Sequence, residues 1–140
     1  MRVRAGLLAV TLAFSGCSLF DSRPTYSGPS DYAFTLRIGC FCPYVGPLRI
    51  SVKDSNVIDV HQLGPVDGGP TPQAWIDEQA MTLDELADLV DRAHRDADDV
   101  DVTYDPTYGF PTDVYIDWIR DAVDDEIGYT VTNYVPALPL

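Results

Sequence analysis

Residues 32–40 alternate between apolar and polar side chains, and this alternation constrains the fold more than any other feature of the chain. The apolar side chains at every second position from Tyr32 to Ile38 share one side, whereas Thr35 and Arg37 lie on the other. A period of two residues is typical of a strand with one buried face. The segment YAFTLRIGC therefore predicts a β-strand that packs against a core.

The same period recurs later in the chain. Residues 48–53 and 57–60 alternate on either side of Asp54, Ser55 and Asn56, whose residue types favour a turn, so these segments predict a β-hairpin. Three further candidate strands lie at residues 100–104, 113–119 and 127–134. The residues from 64 to 73, GPVDGGPTPQ, are rich in glycine and proline and predict a loop without a regular element.

One segment, residues 83–97, has the period of an amphipathic helix. Thr82 and Glu85 have the spacing of a capping box, and apolar side chains from Leu83 to Ala97 form one stripe. The candidate strands cluster before and after this helix instead of alternating with several helices. We therefore expect an α+β fold: an antiparallel, twisted sheet of four or five strands with one main helix packed on one face.

The N-terminal residues predict an exported protein. Two arginines precede the apolar run AGLLAVTLAF, and the small residues SG followed by Cys17 come after it, which is the order of a secretory signal. A cysteine at this point resembles the signal of a bacterial lipoprotein. That resemblance implies that residues 1–16 are a signal peptide and that Cys17 is lipidated after cleavage, whereas an ordinary secretory signal is the alternative.

This processing divides the chain into four parts. After the signal peptide we expect the lipidated cysteine and a flexible linker at residues 17–30, a single domain at residues 31–136 and a C-terminal tail at residues 137–140. The expected location is the cell envelope, where the lipid holds the domain at the periplasmic or extracellular face of a membrane.

The composition of the mature chain excludes one class of partner. Removal of the signal peptide leaves seven basic against 22 acidic residues, a formal charge of −15. Such a charge argues against binding to nucleic acid, whose phosphates would repel it. It also argues against a charge-driven attachment to anionic lipid, so contact with the membrane would depend on the lipid anchor.

The sequence GCFCP, residues 39–43, places two cysteines one residue apart. If Cys17 carries lipid, Cys40 and Cys42 remain as a pair in an oxidising compartment. Neighbouring same-face residues of a strand are too far apart for a disulfide, so a bond requires the strand to end here, and Gly39 and Pro43 suit such an end. We favour a structural disulfide; two free thiols, and a redox or metal site, are the alternatives.

An acidic cluster near the C-terminus is the best candidate for a metal site. It comprises Asp121, Asp124, Asp125 and Glu126. Several oxygen ligands close together suit Ca²⁺, but the spacing of an EF-hand loop is missing. We therefore expect at most weak Ca²⁺ binding and no other cofactor, and the alternative is a solvated turn.

Two aromatic residues lie in a loop that proline and glycine stiffen. Residues 104–112 contain Tyr108 and Phe110, and aromatic side chains on a stiff loop can bind a partner at low entropic cost. The competing interpretation is that both rings fold back over the sheet as packing. No sequence pattern identifies a catalytic residue.

Four segments together resemble one protein family: CFCP, TLDELADLVDRA, VTYDPTYGFPTDVYID and DDEIGYTV. They are similar to the bacterial exported proteins catalogued as domain of unknown function 6174, over about residues 31–134. The resemblance implies a small secreted or lipid-anchored domain, and it implies no activity and no catalytic residue.

From these observations we expect a membrane-anchored lipoprotein that is not an enzyme and that binds a protein or peptide of the envelope. The alternative is a small hydrolase or thiol-active enzyme that uses the acidic cluster or the cysteine pair.

Overall fold

The computed structural model describes three segments of the chain, residues 23–42, 46–64 and 71–136. The predicted signal peptide, the predicted lipid site Cys17 and the predicted tail at residues 137–140 lie outside the described residues. Neither helix of the described segments has the length and apolar composition that crossing a membrane requires.

Six strands form one antiparallel sheet. In chain order they are β1 (Tyr32–Gly39), β2 (Leu48–Lys53), β3 (Asn56–Gln62), β4 (Asp99–Tyr104), β5 (Pro111–Asp117) and β6 (Glu126–Pro136). Their spatial order is β3-β2-β1-β6-β5-β4, and every neighbouring pair is antiparallel. The chain thus builds two meanders of three strands each, and joins them through β1 and β6.

The α+β class and the antiparallel pairing are confirmed, but the expected number of four or five strands is too low. All six segments with a period of two join one sheet. The first strand lies between the second and the last, so the strands before and after the helices belong to the same sheet. The hairpin of β2 and β3 is present, and Asp54 and Ser55 form its turn with φ values of 50° and 61°.

The main helix, α2 (Leu83–Asp96), begins as the sequence predicts. The Thr82 hydroxyl accepts a hydrogen bond from the Glu85 N–H at 3.1 Å, and the Glu85 carboxylate accepts one from the Thr82 N–H at 2.7 Å. This reciprocal pair satisfies two backbone donors that the first turn of a helix leaves free. The capping box is therefore confirmed.

A second helix, α1 (Gln73–Gln79), is absent from the sequence-based expectation. It begins after Pro72 without a side-chain cap, and among its seven residues only Ile76 is buried. A proline just before the first turn suits a helix start, because its missing N–H is not needed there. The predicted loop therefore ends one residue earlier than expected, and the fold has two helices instead of one main helix.

Both helices pack on the same face of the sheet. The core contains Ile76 of α1 and Leu86 of α2 together with strand residues such as Phe34, Leu36 and Ile116. The alternate positions of the strands form the opposite face, which we call the open face. Its exposed members include Arg37 and Gly39 on β1, Asp101 on β4, Asp113 and Tyr115 on β5, and Thr132 on β6.

Residues 23–31 have no helix or strand, yet they lie against the domain. Arg23 Nη1 contacts Asp91 Oδ1 of α2 at 2.9 Å, and the Ser27 N–H donates a hydrogen bond to the Tyr108 carbonyl at 2.8 Å. The ring of Tyr26 packs against the core. Most of the segment that the sequence assigns to a flexible linker thus contacts the fold from Arg23 onward.

Candidate interaction surface

Strand register divides the sheet into two ends. At one end β1 and β5 finish and β6 begins, so that Gly39 pairs with Gly128, and Gly128 pairs with Tyr115. We call this the disulfide end, because Cys40 and Cys42 follow β1 there. The opposite end, where Tyr32 pairs with Pro136, is called the tyrosine end.

Cys40 and Cys42 are bonded to each other, with their Cα atoms 5.1 Å apart. The bond becomes feasible because β1 ends at Gly39 and the chain leaves the extended conformation at the next residue. The structure therefore contains the disulfide that the sequence favours. It closes a loop of three residues whose middle member is Phe41.

Large apolar side chains are exposed at the disulfide end. Phe41 is 83% exposed, Ile119 is 60% exposed and Val123 is 85% exposed. Ile119 was expected inside a strand at residues 113–119, but β5 ends at Asp117 and leaves it in the following loop. Of the six large hydrophobic residues that are exposed in the described segments, these three lie beyond the strand ends on one side of the sheet.

The acidic cluster occupies the loop between β5 and β6 and the start of β6. Asp125 Oδ2 accepts a hydrogen bond from the Ile119 N–H at 2.6 Å, so this carboxylate closes the loop. Asp124 has a φ of 69°, a conformation that aspartate tolerates in turns. Within residues 23–42, 46–64 and 71–136, no three His, Cys, Asp or Glu side chains come close enough to hold a metal ion, and this includes the four acidic residues.

Two carboxylates that flank this loop each have one oxygen without a hydrogen-bond partner in the described segments. Asp117 Oδ1 and Asp125 Oδ1 are buried, and neither has a hydrogen-bond partner among the described residues. Desolvation and the negative charges of Asp125 and Glu126 raise the pKa of Asp117. These carboxylates give the disulfide end a negative potential.

Tyr108 and Phe110 lie at the tyrosine end, inside an aromatic cluster. Phe110 is only 2% exposed, and its ring centroid lies 4.8 Å from that of Tyr134 and 6.3 Å from that of Tyr26. The ring of Tyr108 lies 5.2 Å from the ring of Tyr134. The structure thus places Phe110 in the core and packs Tyr108 against it, as the competing interpretation expects.

Backbone contacts hold that loop in place. Asp105 Oδ1 accepts hydrogen bonds from the Thr107 N–H at 2.9 Å and the Tyr108 N–H at 2.7 Å. Gly109 has a φ of +76°, and a Cβ built on it would lie 2.6 Å from the Thr25 carbonyl oxygen. The loop can close over the core only because glycine stands at this position.

On the open face at the disulfide end, one tyrosine stands among carboxylates. Tyr115 is 44% exposed and lies directly opposite Asp101 of β4. Asp113 and Asp117 precede and follow it at the same-face positions of β5. Partial desolvation and the charges of Asp117 and Glu126 raise the pKa of Tyr115, which therefore stays protonated at neutral pH.

On its fourth side, toward β6, Tyr115 adjoins one glycine, and a second glycine lies one strand farther. Gly128 of β6 pairs with Tyr115, and Gly39 of β1 pairs with Gly128. The open face at the disulfide end therefore has no side chain at two adjacent positions. Toward the tyrosine end of β1, by contrast, a side chain covers the open face. Arg49 reaches from β2 across β1 to the Asn133 carbonyl at 2.9 Å, and Thr35 beneath it is only 6% exposed.

Sequence reasoning missed this region because every residue in it fits a strand pattern. Tyr115 alternates regularly with Val114 and Ile116, and nothing local says that its face remains uncovered. One available signal was Gly128, since a glycine inside a strand pattern often marks a point of close approach. A second was Gly39 at the end of β1.

Comparison with known proteins gives one match. Residues 25–136, which are most of the chain, match a family described as a family of unknown function, DUF6174. The match begins inside the segment that packs against the domain before β1. No curated protein and no solved structure matches this chain.

Proposed function

This chain belongs to the DUF6174 family, and we propose that it is a membrane-tethered binding domain of the cell envelope whose disulfide end contacts a partner protein or peptide. In this proposal the chain is exported, cleaved after Gly16 and anchored through lipid on Cys17. The domain is not an enzyme, and it acts by holding its partner close to the membrane.

The observation that carries this proposal is the exposure of Phe41, Ile119 and Val123 at one end of the sheet. Burial of apolar area on association contributes roughly 25 cal/mol per Å², and aromatic residues are frequent among the side chains that dominate interface energies. Phe41 is 83% exposed, so most of its ring could contribute this free energy when a partner covers it. The surrounding carboxylates favour a partner with basic groups around an apolar contact.

The disulfide supports the proposal through preorganisation. Phe41 stands between two bonded cysteines, so its backbone has few conformations to lose when a partner binds. A flexible loop of the same sequence would lose more conformational entropy on binding. The loop closed by the disulfide thus holds the aromatic side chain of Phe41 in a fixed position for binding.

Site-specific photocrosslinking in living cells tests the proposal. We expect p-benzoylphenylalanine in place of Phe41 or Val123 to give a discrete crosslinked product with a partner, since both side chains would lie in the interface. The control is the same substitution at Ile58, which is 63% exposed but lies on the edge strand β3, away from the disulfide end.

Products at Ile58 equal to those at Phe41, or no product at Phe41 and Val123, would refute the proposed interface. Mass spectrometry of the same material tests the proposed cleavage and lipidation of the N-terminus. A chain that begins at a lipidated Cys17 agrees with the proposal, and an uncleaved, unmodified N-terminus contradicts it.

A further inference from the structure

The fold has room for a side chain at both of the glycines near Tyr115. A Cβ on Gly39 would meet nothing closer than the Gly128 carbonyl oxygen at 4.0 Å. A Cβ on Gly128 would lie 3.5 Å from the Val114 oxygen and 3.8 Å from the Gly39 oxygen, which are ordinary contact distances. Neither glycine has a positive φ.

Glycine at these positions nevertheless has a cost. In a strand, glycine loses more conformational entropy on folding than alanine and offers no side chain to pack, so it is less favourable than alanine. Two such residues side by side on an exposed face leave the backbone of β1 and β6 bare. A bare backbone next to an aromatic ring allows another molecule to approach closely.

The surroundings of Tyr115 indicate what that molecule carries. A shallow groove of about 180 Å³ runs beside the ring and is lined by Asp101, Thr103, Asp113, Val114 and Tyr115. Its two carboxylates face the groove from neighbouring strands, and Asp117 follows on the same face of β5. The groove therefore combines an aromatic ring with negative charge, and it complements a cation.

We propose that Tyr115, Asp101 and Asp113 bind an arginine side chain of the partner, and that Gly39 and Gly128 let the partner's backbone approach the sheet beside it. This inference rests on the proposed function and specifies the chemistry of the partner. It extends the interface from the strand ends to the open face.

Arginine fits this groove better than lysine for two reasons. Its planar guanidinium can stack on the tyrosine ring, and its fixed fork of N–H donors can bind a carboxylate through two parallel hydrogen bonds. Lysine has a compact, strongly hydrated charge and would gain only the electrostatic part of the interaction. A neutral side chain of the same shape would gain little of either.

Titration of the full chain with three short peptides tests the inference by NMR. The probes are the acetylated, amidated peptides AGXGA in which X is arginine, lysine or citrulline. We expect the arginine peptide to shift the amide signals of Asp101, Tyr115 and Gly128 most, lysine to bind more weakly and citrulline, which is uncharged, to leave them unchanged.

Three variants locate the binding. Tyr115→Leu should weaken the arginine peptide by about two- to fivefold, the loss that removal of an exposed cation–π contact corresponds to. Gly128→Ala, whose Cβ the fold accommodates, should weaken it as well. Asp59→Asn removes one exposed carboxylate on β3 and is the matched control for net charge, so it should leave the affinity unchanged.

Affinities that are equal in Tyr115→Leu and in the unaltered chain overturn the inference, and so does equal binding of arginine and citrulline peptides. Absence of any shift at Asp101, Tyr115 and Gly128 overturns it too. The crosslinks at Phe41 and Val123 are measured independently. Their presence without arginine binding would refute only this inference, whereas their absence would refute the proposed function.

Discussion

The tyrosine end and the disulfide end of the sheet both carry aromatic side chains in short loops, but they bury them to opposite degrees. Phe110 at the tyrosine end is 2% exposed, whereas Phe41 at the disulfide end is 83% exposed. The difference arises from the chain that comes before β1. Residues from Arg23 onward return over the tyrosine end, and Tyr26 packs its ring edge-on against Tyr32 and Phe110.

Polar contacts complete the closure of the tyrosine end. The Tyr26 hydroxyl donates a hydrogen bond to the Pro29 carbonyl at 2.8 Å and lies 2.9 Å from the Tyr134 hydroxyl. Desolvation by burial raises the pKa of both tyrosines, so both hydroxyls remain protonated. At the disulfide end, by contrast, the apolar side chains of Phe41, Ile119 and Val123 face solvent.

Glycine shows the same contrast. Gly109 at the tyrosine end is fixed by its positive φ and by the nearby Thr25 oxygen, so the fold itself explains it. Gly39 and Gly128 at the disulfide end have room for a side chain. The comparison teaches that residue type alone does not separate packing from binding. Whether another segment covers the residue decides between them.

The largest expected effect is on the two phenylalanines. Phe110→Ala should lower the free energy of unfolding by about 3–5 kcal/mol, because it removes a buried ring and leaves a cavity. Phe41→Ala should change it by less than about 0.5 kcal/mol, because the ring contacts mainly solvent. Urea denaturation of both variants checks this, and a comparable loss in both would remove the distinction between the two ends.

A second pair of substitutions tests which glycine the fold requires, Gly109 or Gly128. Gly109→Ala should destabilise the protein by roughly 1–3 kcal/mol, because alanine is strained at φ +76° and its Cβ would meet the Thr25 oxygen. Gly128→Ala should instead stabilise it by about 0.5–1 kcal/mol, since alanine fits and restricts the unfolded chain. Thermal unfolding of both variants measures whether each substitution raises or lowers the stability. A destabilised Gly128→Ala would show that the fold requires this glycine.

A third prediction concerns the cysteine pair. Replacing both Cys40 and Cys42 with serine should cost about 1–2 kcal/mol of stability, because closing so short a loop restricts the unfolded chain only slightly. Thiol titration of the unaltered, folded protein should find neither of these cysteines free. Two free thiols of low pKa in this pair would instead favour the thiol-active enzyme that the sequence leaves open.

The local elements of this fold could be predicted from the sequence because each has a strong local cause. The alternation in β1 and the capping box of Thr82 and Glu85 act over a few residues, and both appear where expected. The helix α1 escaped prediction because it has seven residues, no side-chain cap and a proline-rich start. Its formation depends on the burial of Ile76 against the sheet, which no local pattern reveals.

The candidate surface was much harder to predict, since it depends on what covers each face. The sequence offers Tyr108 and Phe110 as a binding loop, but Tyr26, 82 positions before Tyr108, packs over the same cluster. Tyr115 looked like any strand residue until the register placed Asp101 and Gly128 beside it. Such neighbours come from long-range pairing, and a single sequence does not specify them.

If the chain is anchored through Cys17 as proposed, the docking of residues 23–31 also limits how far the domain can stand from a bilayer. With lipid on Cys17, five residues lie between the anchor and Arg23, and these six residue steps span at most about 20–22 Å. β5 has seven residues, so the two ends of the sheet lie roughly 23 Å apart. In the proposed anchoring, a sheet that stands along the membrane normal would present Phe41 to a partner at that added distance from the lipid surface.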